Sequence, residues 1–183
     1  MVPPESDDNL RLEIGHVLFI EIVGYSKRGF NSIEECERIV AAMPNPPKIN
    51  YGGNVASYSP RLDLVNMPKQ ERFTSAGEFY STTFHELSHA TGHETRLNRK
   101  GITGAVNFAS DVYSKEELIA ELGASFLNAK AGIIGGTLSN SASYIANWIS
   151  ALRSDKRMLI EAAGAAQKAT DYILGVQPSE TSV

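Results

Sequence analysis

The sequence predicts an α+β domain in which a small, mainly antiparallel sheet packs on helices. Three observations lead to it. Short runs rich in β-branched and aromatic residues crowd the first third of the chain, Gly and Pro clusters separate them, and apolar residues recur at helical spacing from Ser75 onward. Within 10–25, Val17-Leu18-Phe19-Ile20-Glu21-Ile22-Val23 reads as a strand. Residues 32–42 read as a helix, because Ser32 followed by Glu35 is a capping-box pattern and Cys36, Ile39 and Val40 share one face. Pro44, Pro46 and Pro47 end that helix. Short strands are expected at 49–51, 56–58 and 62–65, divided by Gly52-Gly53 and Ser59-Pro60 turns. A helix over 75–92 follows from Phe79, Thr83, Phe84, Leu87 and Ala90, with Gly92 as its stop. Another is expected over 114–131, opened by a Ser114/Glu117 capping box, striped by Leu118, Leu122, Phe126 and Ala129, and closed by Gly132, Gly135 and Gly136. Residues 139–174 read as two more helices. Tyr144, Ile145, Trp148, Ile149 and Leu152 mark the first, with Tyr144 and Trp148 as packing residues; Leu159, Ala162, Ala166, Ala169 and Ile173 mark the second.

A chain of 183 residues can bury one good core, so a single domain over 1–183 is expected, with 1–9 and 177–183 as loose tails. The net charge of −4 and the scattering of Lys and Arg exclude a basic stripe that would neutralise a phosphate backbone. Cys36 is the single cysteine, which excludes a disulfide framework and a cysteine-cluster zinc site. Any metal must therefore be held by His and carboxylates. The acidic, Pro-containing start lacks a signal-peptide pattern, and no apolar run reaches membrane-spanning length, so the expected location is the cytoplasm.

The chemistry concentrates in Phe84-His85-Glu86-Leu87-Ser88-His89, an H-E-x-x-H pattern within the 75–92 helix. Residues four apart stack on one face, so His85 and His89 can grip one ion while Glu86 stands beside them. A catalytic Zn²⁺ needs a third protein ligand and an open position for water. Three residues compete for that place. His93 lies one further helical step on, but Gly92 intervenes and turns the chain. The run from His85 to Gly92 also begins like a metzincin site, yet the position of the third metzincin His is Thr95. Glu117 and Glu121 are the other two candidates, sharing one face of the 114–131 helix. Such a pair suits a site where one carboxylate binds the ion and the other accepts an imidazole N–H. Glu116 is read as part of a solvated acidic face paired with Lys115.

His85-Glu86-Leu87-Ser88-His89 together with Glu117-Leu118-Ile119-Ala120-Glu121-Leu122 resembles the glutamate zincins. That resemblance implies a zincin-like metallopeptidase fold with Zn²⁺ on His85, His89 and Glu117, and Glu121 as support. Thr91-Gly92-His93-Glu94-x-Arg96-Leu97-Asn98-Arg99, Tyr113-x-x-Glu116-Glu117-Leu118 and Asp155-Lys156-Arg157 further resemble the C-terminal domain of ArdC-type antirestriction proteins. This implies a plasmid or mobile-element setting and a preceding single-stranded DNA-binding domain. No counterpart of that domain is found here, so DNA is expected to be reached only through a missing part. Where the family often has an aromatic after the second His, Ala90 stands.

The expected activity is hydrolysis of a peptide or protein substrate by metal-activated water, with Glu86 as general base. Tyr113, Tyr58 and Arg96 are candidate oxyanion donors, and 57–65 is the expected edge for an extended substrate. The alternative is a catalytically silent, metal-stabilised domain that binds a restriction or DNA-processing protein. A closed site including His93 would favour it.

Overall fold

A computed structural model describes residues 32–103, 111–133 and 156–176. The strand expected at 17–23, the helix around Tyr144 and Trp148, and both expected tails lie outside the described residues. Helix α1 (Ser32–Ala42) leads into strands β1 (Lys48–Tyr51), β2 (Ser57–Ser59) and β3 (Leu64–Met67). A 3-10 turn at Gln70–Arg72 precedes α2 (Ala76–Ala90), then short α3 (Lys100–Thr103), α4 (Asp111–Ala131) and α5 (Lys156–Ile173).

The strands order β1-β3-β2, with β2 antiparallel and β1 parallel to β3, so the sheet is mixed rather than mainly antiparallel. The reason is connectivity: β2 and β3 form a tight hairpin, and β1 pairs with the far side of β3. Central β3 buries Val65 and Met67 completely against the helices, while Leu64 and Asn66 are half-buried, the period-two pattern of a strand with one core face. The turn between β2 and β3 includes Asp63, whose φ of 45° is left-handed, and this takes Leu62 and Asp63 out of the strand expected at 62–65.

Helix α2 begins where Ser75 accepts a hydrogen bond from the Glu78 N–H at 3.1 Å. Its expected stripe is core: Phe79, Thr83, Phe84, Leu87 and Ala90 are all buried. Leu127 and Ala131 of α4 pack in the same cluster, together with Cys36 and Ile39 of α1. The opposite side of α4 sets Leu118, Ile119 and Leu122 against Ala162 and Ala166 of α5, forming a second cluster. Helix α4 thus lies between α2 and α5 and is covered on both sides. It also begins earlier than expected, at Asp111, so Ser114 is inside the helix rather than at its start. Helix α5 buries Ala162, Ala166, Ala169 and Ile173 fully, as its spacing requires.

Two arginines from the segment after α2 fold back onto its end. Arg96 donates to the Ala90 carbonyl at 2.7 Å, the Asn45 carbonyl at 3.0 Å, the Tyr58 hydroxyl at 3.3 Å and both carboxylate oxygens of Asp63. Its side chain is fully buried. The knot therefore ties the β2–β3 turn to the end of α2, satisfying carbonyls that a helix terminus leaves without partners. Burial works against ionisation of Asp63, but the hydrogen bonds from Arg96 and Tyr58 outweigh it and hold its pKa below the ordinary 3.8. Gly92, just past the helix end, has no left-handed φ, and what it provides is space: a Cβ there would stand 2.5 Å from Ile102 Cγ1 and 3.0 Å from Arg99 Nη2.

Two outcomes are expected. Gly92→Ala should cost about 1–3 kcal/mol, because the added methyl pushes α3 and Arg99 off the end of α2; urea unfolding measures it. Asp63→Asn should cost about 1–3 kcal/mol at neutral pH by unpairing buried Arg96. Since the folded-state pKa of Asp63 is depressed, its contribution is present above about pH 4 and fades as pH falls through that lowered pKa. The gap between parent and variant unfolding midpoints should accordingly shrink in acid.

Candidate metal centre

Helix α2 is amphipathic in an unusual way: beyond its apolar stripe it turns His85 and His89 toward α4. The i, i+4 spacing places both imidazoles on one face, and their Nε2 atoms lie 3.2 Å apart. From α4, Glu117 reaches between them, with Oε2 3.7 Å from His85 Nε2 and Oε1 3.6 Å from His89 Nε2. Donors sharing one tetrahedral ion at about 2.0–2.1 Å stand roughly 3.3–3.4 Å from each other, so this spacing fits a zinc ion with little adjustment. The His85, His89 and Glu117 donor atoms all fall within 4.8 Å of one another, the one such group among the described residues.

The other ring nitrogens face carboxylates. Glu121 Oε2 lies 3.4 Å from His85 Nδ1, and Glu116 Oε1 lies 3.5 Å from His89 Nδ1. A carboxylate at Nδ1 favours a proton on that nitrogen, which leaves the Nε2 lone pairs of both rings aimed at the same point. Two lone pairs 3.2 Å apart repel unless a cation or proton lies between them. The residues present thus fit a divalent metal, with two imidazoles and one carboxylate as ligands.

The charge pattern has the same origin. Burial alone would lower the basicity of His85, but contacts with Glu117 and Glu121 and the charge of Glu86 push its pKa up to about 10. His89 is raised as well, with burial overcome by Glu116 and Glu117. Glu117, despite burial, is held far below the usual carboxylate range by the two histidines. Glu86 behaves differently: burial raises its pKa, Glu117 adds to the rise, and the positive histidines and the nearby Tyr58 backbone N–H only partly offset it.

His85, Glu86, His89, Glu117 and Glu121 therefore come together, and His93 does not. Its Nδ1 is 2.9 Å from the Thr95 hydroxyl, in the turn beyond Gly92, and the ring takes no part in the group of donors. Tyr58 and Arg96 are removed from the oxyanion candidates because the knot around Asp63 occupies them; the Tyr58 hydroxyl donates to Asp63 at 2.9 Å. Tyr113 falls in the first turn of α4, and its side chain lies outside what is described. Glu116 reverses its expected role. It is 4% exposed, bonded to Arg99 and turned to His89, while Lys115 pairs with Glu161 of α5. Sequence reasoning passed over Glu116 and Arg99, although both stand in the runs that carry the resemblance to antirestriction proteins. A run of two glutamates on a helix does not reveal which is buried.

Comparison with known proteins agrees with this fold. The family model described as zincin-like metallopeptidase matches residues 34–165. Among curated proteins, DNA primase TraC of Escherichia coli is 36% identical over 152 residues, covering 82% of this chain and 14% of that protein. Protein y4eC of Sinorhizobium fredii is 36% identical over 141 residues, covering 77% of this chain and 44% of its own length. Among solved structures, the Mn(II)-bound antirestriction ArdC protein from plasmid R388 superposes with a TM-score of 0.60 at 38% identity, covering 76% of this chain and 51% of that one. The metal-free ArdC structure gives 0.59 at 34% identity, covering 81% of this chain and 51% of that one. The chain thus spans about half of the structural relative and less than half of the curated ones. With the fold, the paired helices and the His85, His89 and Glu117 cluster in agreement, the chain belongs to the zincin-like metallopeptidase family and is homologous to the ArdC antirestriction proteins over this region.

Proposed function

We propose that this chain is a zinc-dependent peptidase unit that hydrolyses peptide bonds, with His85, His89 and Glu117 holding the metal and Glu86 acting as general base. The observation that carries the reading is the convergence of those donors around one point with a buried, proton-avid carboxylate beside them. Zinc, when bound there, supplies a Lewis acid that polarises the scissile carbonyl and makes water acidic near neutral pH.

The chain's own residues supply the rest. Glu86, raised above the ordinary carboxylate range, takes the proton of the attacking water and returns it to the leaving amine. The backbone N–H of Tyr58 in β2 lies near its carboxylate and favours the charged form. Glu121 supports His85 through Nδ1. The side of β2 away from β3 has no strand partner among the described residues, so an extended substrate can add to the sheet along Ser57–Ser59, next to Glu86. Leu64 and Val65, within the 57–65 stretch expected for docking, belong to a strand paired on both sides and are excluded from that role. With Tyr58 and Arg96 occupied, Tyr113 is the oxyanion donor that remains of the three. His93 stays outside the donor group, which favours a catalytic site over the silent, four-ligand alternative.

The relatives point to a mobile-element setting, in which the substrate is a protein met during antirestriction or DNA processing. Any DNA contact is assigned to parts of the relatives that this chain does not span.

Purified without added metal or a histidine tag, the protein should carry about one zinc per chain by elemental analysis, lost in His85→Ala. Glu86→Gln should keep the metal and lose peptide hydrolysis by roughly 10²–10⁴-fold. Retained turnover in Glu86→Gln would refute the mechanism; absence of metal from the parent would refute the site.

A further inference from the structure

One buried charge has no part in the mechanism above. Glu116 follows Lys115 on α4, where a solvated face would leave it to water, yet the Arg99 segment covers it. A Cβ on Gly101 would lie 3.0 Å from Glu116 Oε2 and 3.1 Å from its Cβ, so the turn of α3 rests directly on the side chain. Arg99 Nε donates to Oε2 at 3.0 Å and Nη2 donates to Oε1, a two-pronged grip that a planar guanidinium can make and an ammonium cannot. The same guanidinium donates to the Thr91 hydroxyl at 2.6 Å and to the Ser88 carbonyl at 2.8 Å. One cation therefore binds both the end of the helix that carries His89 and the carboxylate that faces His89 Nδ1 at 3.5 Å.

Burying a carboxylate without a partner is costly, and packing alone would be better served by an apolar side chain of similar volume. What Glu116 adds over such a side chain is an acceptor fixed beside one ring nitrogen. We propose that Glu116, held in place by Arg99, is a positioning residue for the metal centre: it fixes the orientation and tautomer of His89 so that Nε2 presents its lone pair to the ion. This rests on the metal site proposed above and extends it, giving each histidine its own carboxylate from α4: Glu121 for His85 and Glu116 for His89. Arg99 cancels the extra negative charge, so that Glu116 aims the ligand without becoming one.

The test uses the whole chain and its Glu116→Ala, Glu116→Gln and Arg99→Lys variants. Zinc affinity is measured by chelator competition, the cobalt(II)-loaded site by its visible absorption, and the metal-free fold by circular dichroism. Glu116→Ala should weaken zinc binding about 10–100-fold and shift the cobalt(II) bands. Glu116→Gln, which keeps an acceptor oxygen, should fall between parent and Ala, and Arg99→Lys should also weaken binding because the fork is lost. Folded variants with parental zinc affinity and an unchanged cobalt(II) spectrum would show that the pair only packs, overturning this inference and leaving the metal site standing. Should Glu116→Ala fail to fold, the near-isosteric Glu116→Gln decides by the same two readouts. A parent chain that takes up neither metal would overturn both.

Discussion

Four carboxylates, Glu86, Glu116, Glu117 and Glu121, and two imidazoles occupy one largely buried seam at α2 and α4. Grouping so much negative charge away from water is unfavourable unless cations answer it, and the surrounding structure is arranged to supply them. Arg99 neutralises Glu116, and the protonated histidines or a divalent ion answer the rest. A seam of this kind also needs rigid walls, because a ligand set that relaxes by an ångström loses its grip on the ion. Helix α4 provides that rigidity by burying apolar residues on both sides, against α2 and against α5.

The end of α2 is the second point on which the site depends. His89 lies one residue before the helix terminates, where backbone carbonyls lack partners and the chain would fray. The segment 91–99 returns across this end, Arg96 and Arg99 take the carbonyls of Ala90 and Ser88, and Gly92 leaves space for the turn to pass. Arg96 continues to Asp63 and Tyr58, so the knot that fixes the helix end also fixes β2. The backbone of that strand then meets Glu86. The end of the helix that carries His85, Glu86 and His89 and the strand β2 are thereby held by one short loop. Such coupling explains how a small three-stranded sheet, exposed along β1 and half-buried along β2, keeps β2 at a defined place.

The family and the outline of the site were legible in local sequence because both rest on helical periodicity. His85 and His89, like Glu117 and Glu121, share a face by being four apart, and the spacing of Phe79, Thr83, Phe84, Leu87 and Ala90 fixes which face of α2 is buried. Spacing within one helix does not report which polar side chains a returning segment will cover. Glu116 therefore read as solvated, and Arg96 and Tyr58 read as free donors, until the return of the 91–99 segment enclosed all three. The parallel pairing of β1 with β3 escaped for a similar reason, since pairing across non-adjacent strands leaves no local mark. What the sequence by itself determined was the chemistry on each helix, because backbone geometry imposes it within a few residues. What tertiary structure alone decided was which carboxylates lie against the histidines and which hydrogen-bond donors are already spent, because the deciding contacts join residues far apart in the chain, such as Arg99 with Glu116, 17 positions apart, and Arg96 with Tyr58, 38 apart.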